Sequence, residues 1–362
     1  MSGLDDVARA AGVSTATVSR ALSGRGRTSE ATRERVRAAA DALGYVASAT
    51  ASSLASGRAE NIGVIVPLLD RWFFATVLDG IASRLAPRGY DMTLYNVTDD
   101  AEQRRRLFET TLRRGRVDGV IVLSVSLTDD EVAALAGLGL PVIALGVPRG
   151  ELGGLRVDDT AVGRAATEHL LALGHREIAH IGQSVAPGGP SDPSYDIPTR
   201  RRAGWEQAMA DAGAPARFVA ADFTVEGARR AAHALLESRR PPTAIFAASD
   251  EMAFGVLAAA RERGLAVPGD LSVIGVDGHD LAGLFALTTI DQFPHAQGEH
   301  AGDAILAAVG AGPAASSAGS VGPGGPAGSL EAAASGEQPN TPASLPFALV
   351  TRGTTAPPRP PH

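Results

Sequence analysis

From Asn61 onward, short apolar runs alternate with amphipathic helical segments, and this alternation confines the chain to an α/β architecture built on parallel sheets. Strand-like runs fall at Ile62–Val66, 90–95, 119–123, 141–145, near 155–157, 177–181, 217–221, 243–247 and 271–276. Helical patterns lie between them at 73–87, 100–114, 129–137, 160–173, 200–212, 225–238 and 250–263, with a further helix at 294–309. These are too many units for one open sheet of ordinary size, so a core at 61–309 should divide into two similar lobes. Lobe one takes about 61–160 plus 292–309, and lobe two about 161–291 plus 345–355. Residues 310–344 are dominated by Gly, Ala, Ser and Pro and read as a low-complexity disordered insertion, because they cannot bury enough surface to order themselves. LPFALVTRG at 345–353 recovers strand character, and 356–362 should be a flexible tail.

The amino end is of a different kind. LDDVARAAGVSTATVSRAL, residues 4–22, reads as two short helices joined by a tight turn. Leu4, Val7, Ala8 and Ala11 form one apolar stripe, Gly12 allows the turn, and Ser14 offers an oxygen to cap the second helix. Val18 and Leu22 should face inward, leaving Thr15, Ala16, Ser19 and Arg20 outside. A face of small residues with one long cation fits a major groove, where arginine can bond a guanine edge. Two amphipathic helices with a Gly turn also occur in ordinary bundles. Charge separates the two readings. Residues 1–60 hold 8 Arg against 6 Asp and Glu on a chain whose net charge is −7, and the six arginines from Arg20 to Arg37 face only Glu30 and Glu34. A basic segment on an acidic body is the electrostatic footprint of a DNA-binding headpiece. A third helix at 30–43, capped by Thr28 or Ser29 and stopped at Gly44, completes a module at 1–45. Residues 46–60 are small, polar and weakly helical, and on their own read as a linker.

Other classes find little support. There are no cysteines, hence no disulfide framework and no thiolate metal site. No basic start precedes an apolar run, and no stretch approaches 18 consecutive apolar residues, so a cytoplasmic location without a membrane partner is expected. Gly182–Ala186 falls one residue short of a nucleophile elbow and leads into a Pro/Gly-rich loop where that class has a helix. No phosphate-cradling or metalloprotease motif occurs, so neither enzyme chemistry, a cofactor nor a metal is expected. His175, in LGHREI, reads as a structural polar contact.

DVARAAGVSTATVSR, with VDGVIVLS (117–124), EHLLALGHREIAHIG (168–182), RRAGWEQAM (201–209), FAASDEMAFG (246–255) and LSVIGVDG (271–278), resembles the LacI/GalR family of bacterial transcriptional regulators. The resemblance runs from Leu4 to about residue 358, apart from 310–344 and the loop 185–198. It implies a helix-turn-helix headpiece, a hinge helix, and a two-lobed periplasmic-binding-protein-like core, acting as a homodimer on palindromic double-stranded operator DNA. It places Thr15, Ala16 and Arg20 at base-reading positions, and Ser14, Thr17, Ser19, Ser29 and Thr32 at phosphate contacts. Leu54 falls where the family wedges a leucine into the minor groove, which turns 46–60 from a linker into a hinge helix that orders on DNA. Ala47, Ser48 and Ala49 replace the usual Pro-Asn-Arg there.

Open α/β sheets bind ligands beyond the carboxyl ends of their strands. Strand ends alone select Leu68–Phe74, Ser124, Gly146, Asp158, Ser249–Asp250 and Asp277. The resemblance places effector contacts at several of these positions and adds Arg201. Arg201 could grip hydroxyls or a carboxylate, Asp277 and Asp250 could accept from hydroxyls, and Trp72, Phe73 and Phe223 could face a sugar ring. Asp250 reads equally well as the cap of helix 251–263, and Phe73 as lobe core. Arg71-Trp72 stands where many members carry Asn-Pro, and Ser249 where many carry Asn. A repressor whose operator affinity is set by a carbohydrate effector is therefore the leading expectation. The same DNA-binding role with a nucleobase or a protein co-repressor, or a solute-binding protein, are the alternatives.

Overall fold

The computed structural model describes residues 3–23, 28–45, 58–98, 100–149, 152–183, 197–311 and 342–359. The chain divides into two compact units, Met1–Asn61 with Gly115–Asp118, and Ile62–Arg114 with Gly119–His362. Leu54, expected at the hinge, and residues 312–341 of the expected insertion lie outside the described residues.

The first unit contains α1 (Leu4–Ala11), α2 (Thr15–Ser23) and α3 (Glu30–Ala42). Gly12, at φ 63°, ends α1 in the left-handed conformation that glycine adopts without strain, and Val13 N then reaches back to Ala8 O at 3.0 Å. Among the described residues the unit's buried core comprises Val7, Ala8, Ala11, Val18, Ala21, Val36 and Ala40, with Leu4, Leu22, Leu43 and Tyr45 packed around it. Small side chains let three short helices approach closely. Residues 115–118 join this unit because the Asp118 carboxylate accepts from Ala59 N (2.7 Å) and Glu60 N (2.8 Å).

The second unit holds two six-stranded sheets. The first contains β1 (Asn61–Val66), β2 (Asp91–Asn96), β3 (Gly119–Leu123), β4 (Val142–Leu145), β5 (Gly154–Val157) and β11 (Ala343–Leu345), in the order β11-β5-β4-β3-β1-β2. The second contains β6 (Ile178–Gly182), β7 (Arg217–Ala220), β8 (Ala244–Ala247), β9 (Ser272–Asp277), β10 (Thr288–Asp291) and β12 (Ala348–Val350), in the order β12-β10-β9-β8-β6-β7. The β1–β3–β4–β5–β11 pairings are parallel, as are β7–β6–β8–β9–β10, while β12 runs antiparallel to β10. Both sheets are buried on two faces, so strands such as β3 and β6 are continuous apolar runs. In β8, Ala244 and Phe246 face one core cluster while Ile245 and Ala247 face the other.

Three helix pairs cover the sheets, and glycine lets each pair touch backbone to backbone. A Cβ on Gly80 would collide with the His295 carbonyl where the helix Trp72–Leu85 meets Pro294–Ala311. Gly163 and Gly204 do the same for Asp159–Ala172 against Ile197–Asp211, and Gly255 for Val225–Leu236 against Asp250–Glu262.

Four departures from the sequence reading have physical causes. The helix expected at 100–114 is α-helical only over Ala101–Arg106, then opens into a π turn at Leu107–Thr111 and tightens at Leu112–Arg114. The wider turn brings Leu107, Phe108 and Leu112 together onto the buried face. Strand β10 is Thr-Thr-Ile-Asp, four residues with a single aliphatic side chain, too short and too polar to show as an apolar run. The 345–353 segment, expected to lie wholly in lobe two, breaks at Pro346 into β11 in the first sheet and β12 in the second. Residues 356–359, expected to be flexible, are tied down: Ala356 N donates to Ser272 Oγ (3.1 Å), Ala356 O accepts from the His175 ring (2.9 Å), and Arg359 pairs with Asp270. His175 also meets Thr243 Oγ1 at 2.8 Å, the structural role expected of it.

His180 sits in the middle of the second sheet with no exposed surface, stacked on Phe246 at 4.5 Å and flanked by Trp205 and Phe218. Its Nδ1–H donates to the Phe246 carbonyl (3.0 Å) and its Nε2 has no partner, so burial pushes the ring pKa down to about 4. The unfolded chain takes up this proton near the ordinary value of 6.5, while the folded chain refuses it until about 4. His180 therefore withdraws up to about 3 kcal/mol of stability as pH falls through that window. Urea denaturation of wild type and His180→Phe between pH 7 and 4 should show the difference shrinking or reversing as pH falls; parallel curves would contradict it.

Candidate functional site

In the first unit, α2 presents Ala16 and Arg20 exposed with Thr15, Thr17 and Ser19 half-buried beside them, while Val18 and Ala21 turn inward. Ser14 Oγ accepts from Thr17 N (3.3 Å) and meets Thr17 Oγ1 (2.9 Å), and Arg20 Nη2 donates to the same Thr17 oxygen (3.4 Å). Ser29 and Thr32 repeat the arrangement at the start of α3, with Thr32 N on Ser29 Oγ (3.3 Å) and the two hydroxyls 2.8 Å apart. Each pair caps a helix and leaves hydroxyls at its positive end, the arrangement that suits a phosphate. Eight of the nine residues selected for DNA contact thus fall on two capped helix starts and one exposed face. Leu54 is the ninth.

In the second unit the topology switches between β1 and β3 in one sheet, and between β6 and β8 in the other, so the crevice lies beyond the carboxyl ends of those strands. Backbone strain collects there. Ser124 (φ 49°) follows β3, Asp277 (φ 123°) ends β9, and Phe293 (φ 51°) follows β10, all in the left-handed region that favours glycine. Ser124 Oγ lies against Gly146, where a side chain would collide.

Arg201 is the centre of the polar wall. It is 5% exposed, and it donates from Nε to Asp159 Oδ1 (2.9 Å), from Nη1 to Ala248 O (2.7 Å) and from Nη2 to Gln292 Oε1 (3.0 Å). Gln292 Nε2 in turn donates to Asp277 Oδ1 (2.9 Å), which lies 4.0 Å from Arg201 Nη1. Those three bonds occupy three of the five N–H donors a guanidinium carries. Burial raises the Asp159 pKa against the pull of Arg201. Burial also raises Asp277, opposed by Arg201 and reinforced by Asp250 and Glu251.

The remaining selected residues take other places. Asp158 is exposed and caps the helix Asp159–Ala172, accepting from Thr160 N (3.1 Å) and Ala161 N (3.2 Å), so its neighbour Asp159 is the one buried against Arg201. Ser249, fully buried, caps the helix Asp250–Glu262 through Met252 N (3.2 Å). Asp250 is therefore not the cap. Its Oδ2 accepts from His279 N (2.8 Å), which ties it to the turn that follows Asp277, and its Oδ1 is buried without a partner. Phe73 meets Phe74 edge to face at 5.5 Å and packs on the core. Phe223 packs on the second core cluster. Trp72 is not a free platform: its Nε1–H donates to Asp280 Oδ2 (3.0 Å) and its ring lies on His279. Sequence patterning does not point to Asp159, Gln292, His279 or Asp280. Gln292 follows a strand whose threonines concealed it, and Asp159 stands beside an aspartate that the strand-end rule takes first.

Removing the Arg201 guanidinium leaves Asp159 buried without its partner. Arg201→Ala should cost about 3–5 kcal/mol in chemical denaturation, and Arg201→Met with Asp159→Leu should recover much of it. Equal losses in the single and double variants would show that the pair is not the source.

The family model for bacterial regulatory proteins of the lacI family matches residues 3–48, and that for a periplasmic binding protein-like domain matches 167–323. The HTH-type transcriptional repressor PurR of Vibrio atlanticus (strain LGP32) is 32% identical, over 84% of this chain and 91% of its own. Among solved structures, the lac repressor dimer bound to operator and the anti-inducer ONPF aligns with a TM-score of 0.79 at 27% identity, over 98% of this chain and 99% of that one. The complex of the transcriptional regulator CelR with cellobiose aligns with a TM-score of 0.64 at 25% identity, over 98% and 100%.

Proposed function

Because the chain belongs to the lacI family of bacterial regulatory proteins, we propose that Arg20, Thr15 and Ala16 give this DNA-binding transcriptional repressor its sequence preference. The observation that carries this is the α2 face, exposed at Ala16 and Arg20 and bounded by the Ser14–Thr17 cap. Ser14, Thr17, Ser19, Ser29 and Thr32 would hold the phosphates on either side, and Leu54 the minor groove at the operator centre. Two copies of the headpiece on a homodimer would read a palindrome. The working compartment is the cytoplasm, where such an operator lies, and the protein acts by binding, not by chemistry. Residues 1–45, 46–60 and 61–309 divide these tasks among headpiece, hinge and effector core. With a site selected from random duplexes, Arg20→Ala should cost about 1–3 kcal/mol and relax preference at one base pair per half-site. A uniform loss over all sequences would make Arg20 a phosphate contact instead.

For the core, the favoured effector is a carbohydrate. The acceptors gathered around Arg201, namely Asp159, Asp277 and Gln292, suit a ligand rich in hydroxyl donors, and the structurally similar CelR was solved with cellobiose. Between the lobes such a ligand would bias their relative angle and so the spacing of the two headpieces. A panel of mono- and disaccharides should contain one that raises the melting temperature of wild type and leaves Asp277→Asn unmoved, while both bind the selected operator alike. If nucleobases stabilise the protein and no saccharide does, the effector class is the other one.

A further inference from the structure

At the rim of the cleft this chain carries Arg71-Trp72, and the tryptophan reaches from one lobe to the other. Trp72 opens the helix Trp72–Leu85 in the first lobe, whereas His279 and Asp280 follow β9 in the second. The indole lies on the His279 ring with centroids 4.4 Å apart and 28° between planes, and its Nε1–H donates to Asp280 Oδ2 at 3.0 Å. Glu251, in the helix Asp250–Glu262 of the second lobe, lies in the field of Arg71.

The receiving side is held in place before Trp72 arrives. His279 N donates to Asp250 Oδ2 (2.8 Å), its Nδ1 accepts from Leu281 N (3.0 Å), and its ring meets Phe254 edge to face at 5.2 Å. A half-buried indole set on a fixed imidazole, with its N–H satisfied by a carboxylate, loses both contacts if the lobes part. Both sets of atoms come from the protein, so the contact needs no effector. The same turn carries Asp277 two residues upstream of His279, which links the rim to the polar wall through Gly278 alone.

We infer that Trp72, His279 and Asp280 form a clasp that holds the two lobes closed in the absence of effector, so that effector exchange requires this rim to open. Closure is then partly established before binding, and the effector's work is to stabilise an arrangement already populated. The inference goes beyond the proposed function and does not depend on which effector binds or on the DNA contacts.

The chain has two tryptophans and no cysteine, which makes the test direct. Trp205 is fully buried, so acrylamide quenching of indole emission reports Trp72. Spin labels on Leu69→Cys and Leu284→Cys, both exposed and on opposite lobes, report the mouth by pulsed electron paramagnetic resonance, with labelled chain diluted in unlabelled chain. The measurement uses full-length protein without DNA or ligand. One short-distance population is expected. Asp280→Ala should lower the ratio of short to long distances about tenfold and make Trp72 readily quenched. Trp72→Phe, which loses the same N–H bond and part of the ring area stacked on His279, should lower the ratio at least as far. Unchanged distances in both variants would overturn the clasp. So would increased quenching with unchanged distances, because the indole would then be free while the lobes stayed shut. Either failure leaves the DNA-binding reading intact.

Discussion

One buried guanidinium binds the segments on which the effector core depends. Arg201 reaches Asp159, just past the point where the chain leaves β5 for the second lobe, and Gln292, where it returns from β10 to the first. It also takes the carbonyl of Ala248 at the end of β8, and stands beside Asp277 at the end of β9. Charge buried this deeply is tolerated only when its donors are met in good geometry. The geometry is set by glycine: the helix of Arg201 lies so close to its neighbour that the Arg201 carbonyl rests on Gly163 and the Thr160 carbonyl on Gly204. Close helix packing, the position of the cation and the crossings between lobes are therefore one constraint.

The turn Asp277–Asp280 carries that constraint outward. Asp277 and Gly278 take φ of 123° and 77°, and Asp250 holds the turn from beneath through the backbone N–H of His279. The carboxylate facing the polar wall and the two side chains receiving Trp72 are thus parts of one short strained segment. Asp277 and His279 stand two residues apart on it. On the proposed reading, a ligand touching Asp277 would act on the lobe angle through this turn.

Sequence patterning revealed most of this architecture because its signals are local. Apolar runs mark the strands, Ser14 and Gly12 mark the helix boundaries, and the setting of His175 in LGHREI fits its structural role. What it missed depends on neighbours remote in sequence. Whether Asp158 or Asp159 is buried is decided by which one the helix start uses as a cap. Ser249 took the cap that Asp250 was offered. β10 went unseen because Thr288 and Thr289 are buried through hydrogen bonds to distant partners, and with it went Gln292. Trp72 was legible as an aromatic at a strand end, but only the fold shows that its face is already occupied by His279.

The DNA-binding unit rests on a slighter foundation, a core of valines and alanines under two capped helix starts. Its claim is the central one, since an effector core has nothing to regulate without it. The most direct measurement is fluorescence anisotropy of the full chain on its selected duplex and on a shuffled duplex of equal length, at several salt concentrations. The account requires both affinities to fall with salt while the selected site stays about a thousandfold tighter or more. Equal affinities at every ionic strength would contradict it.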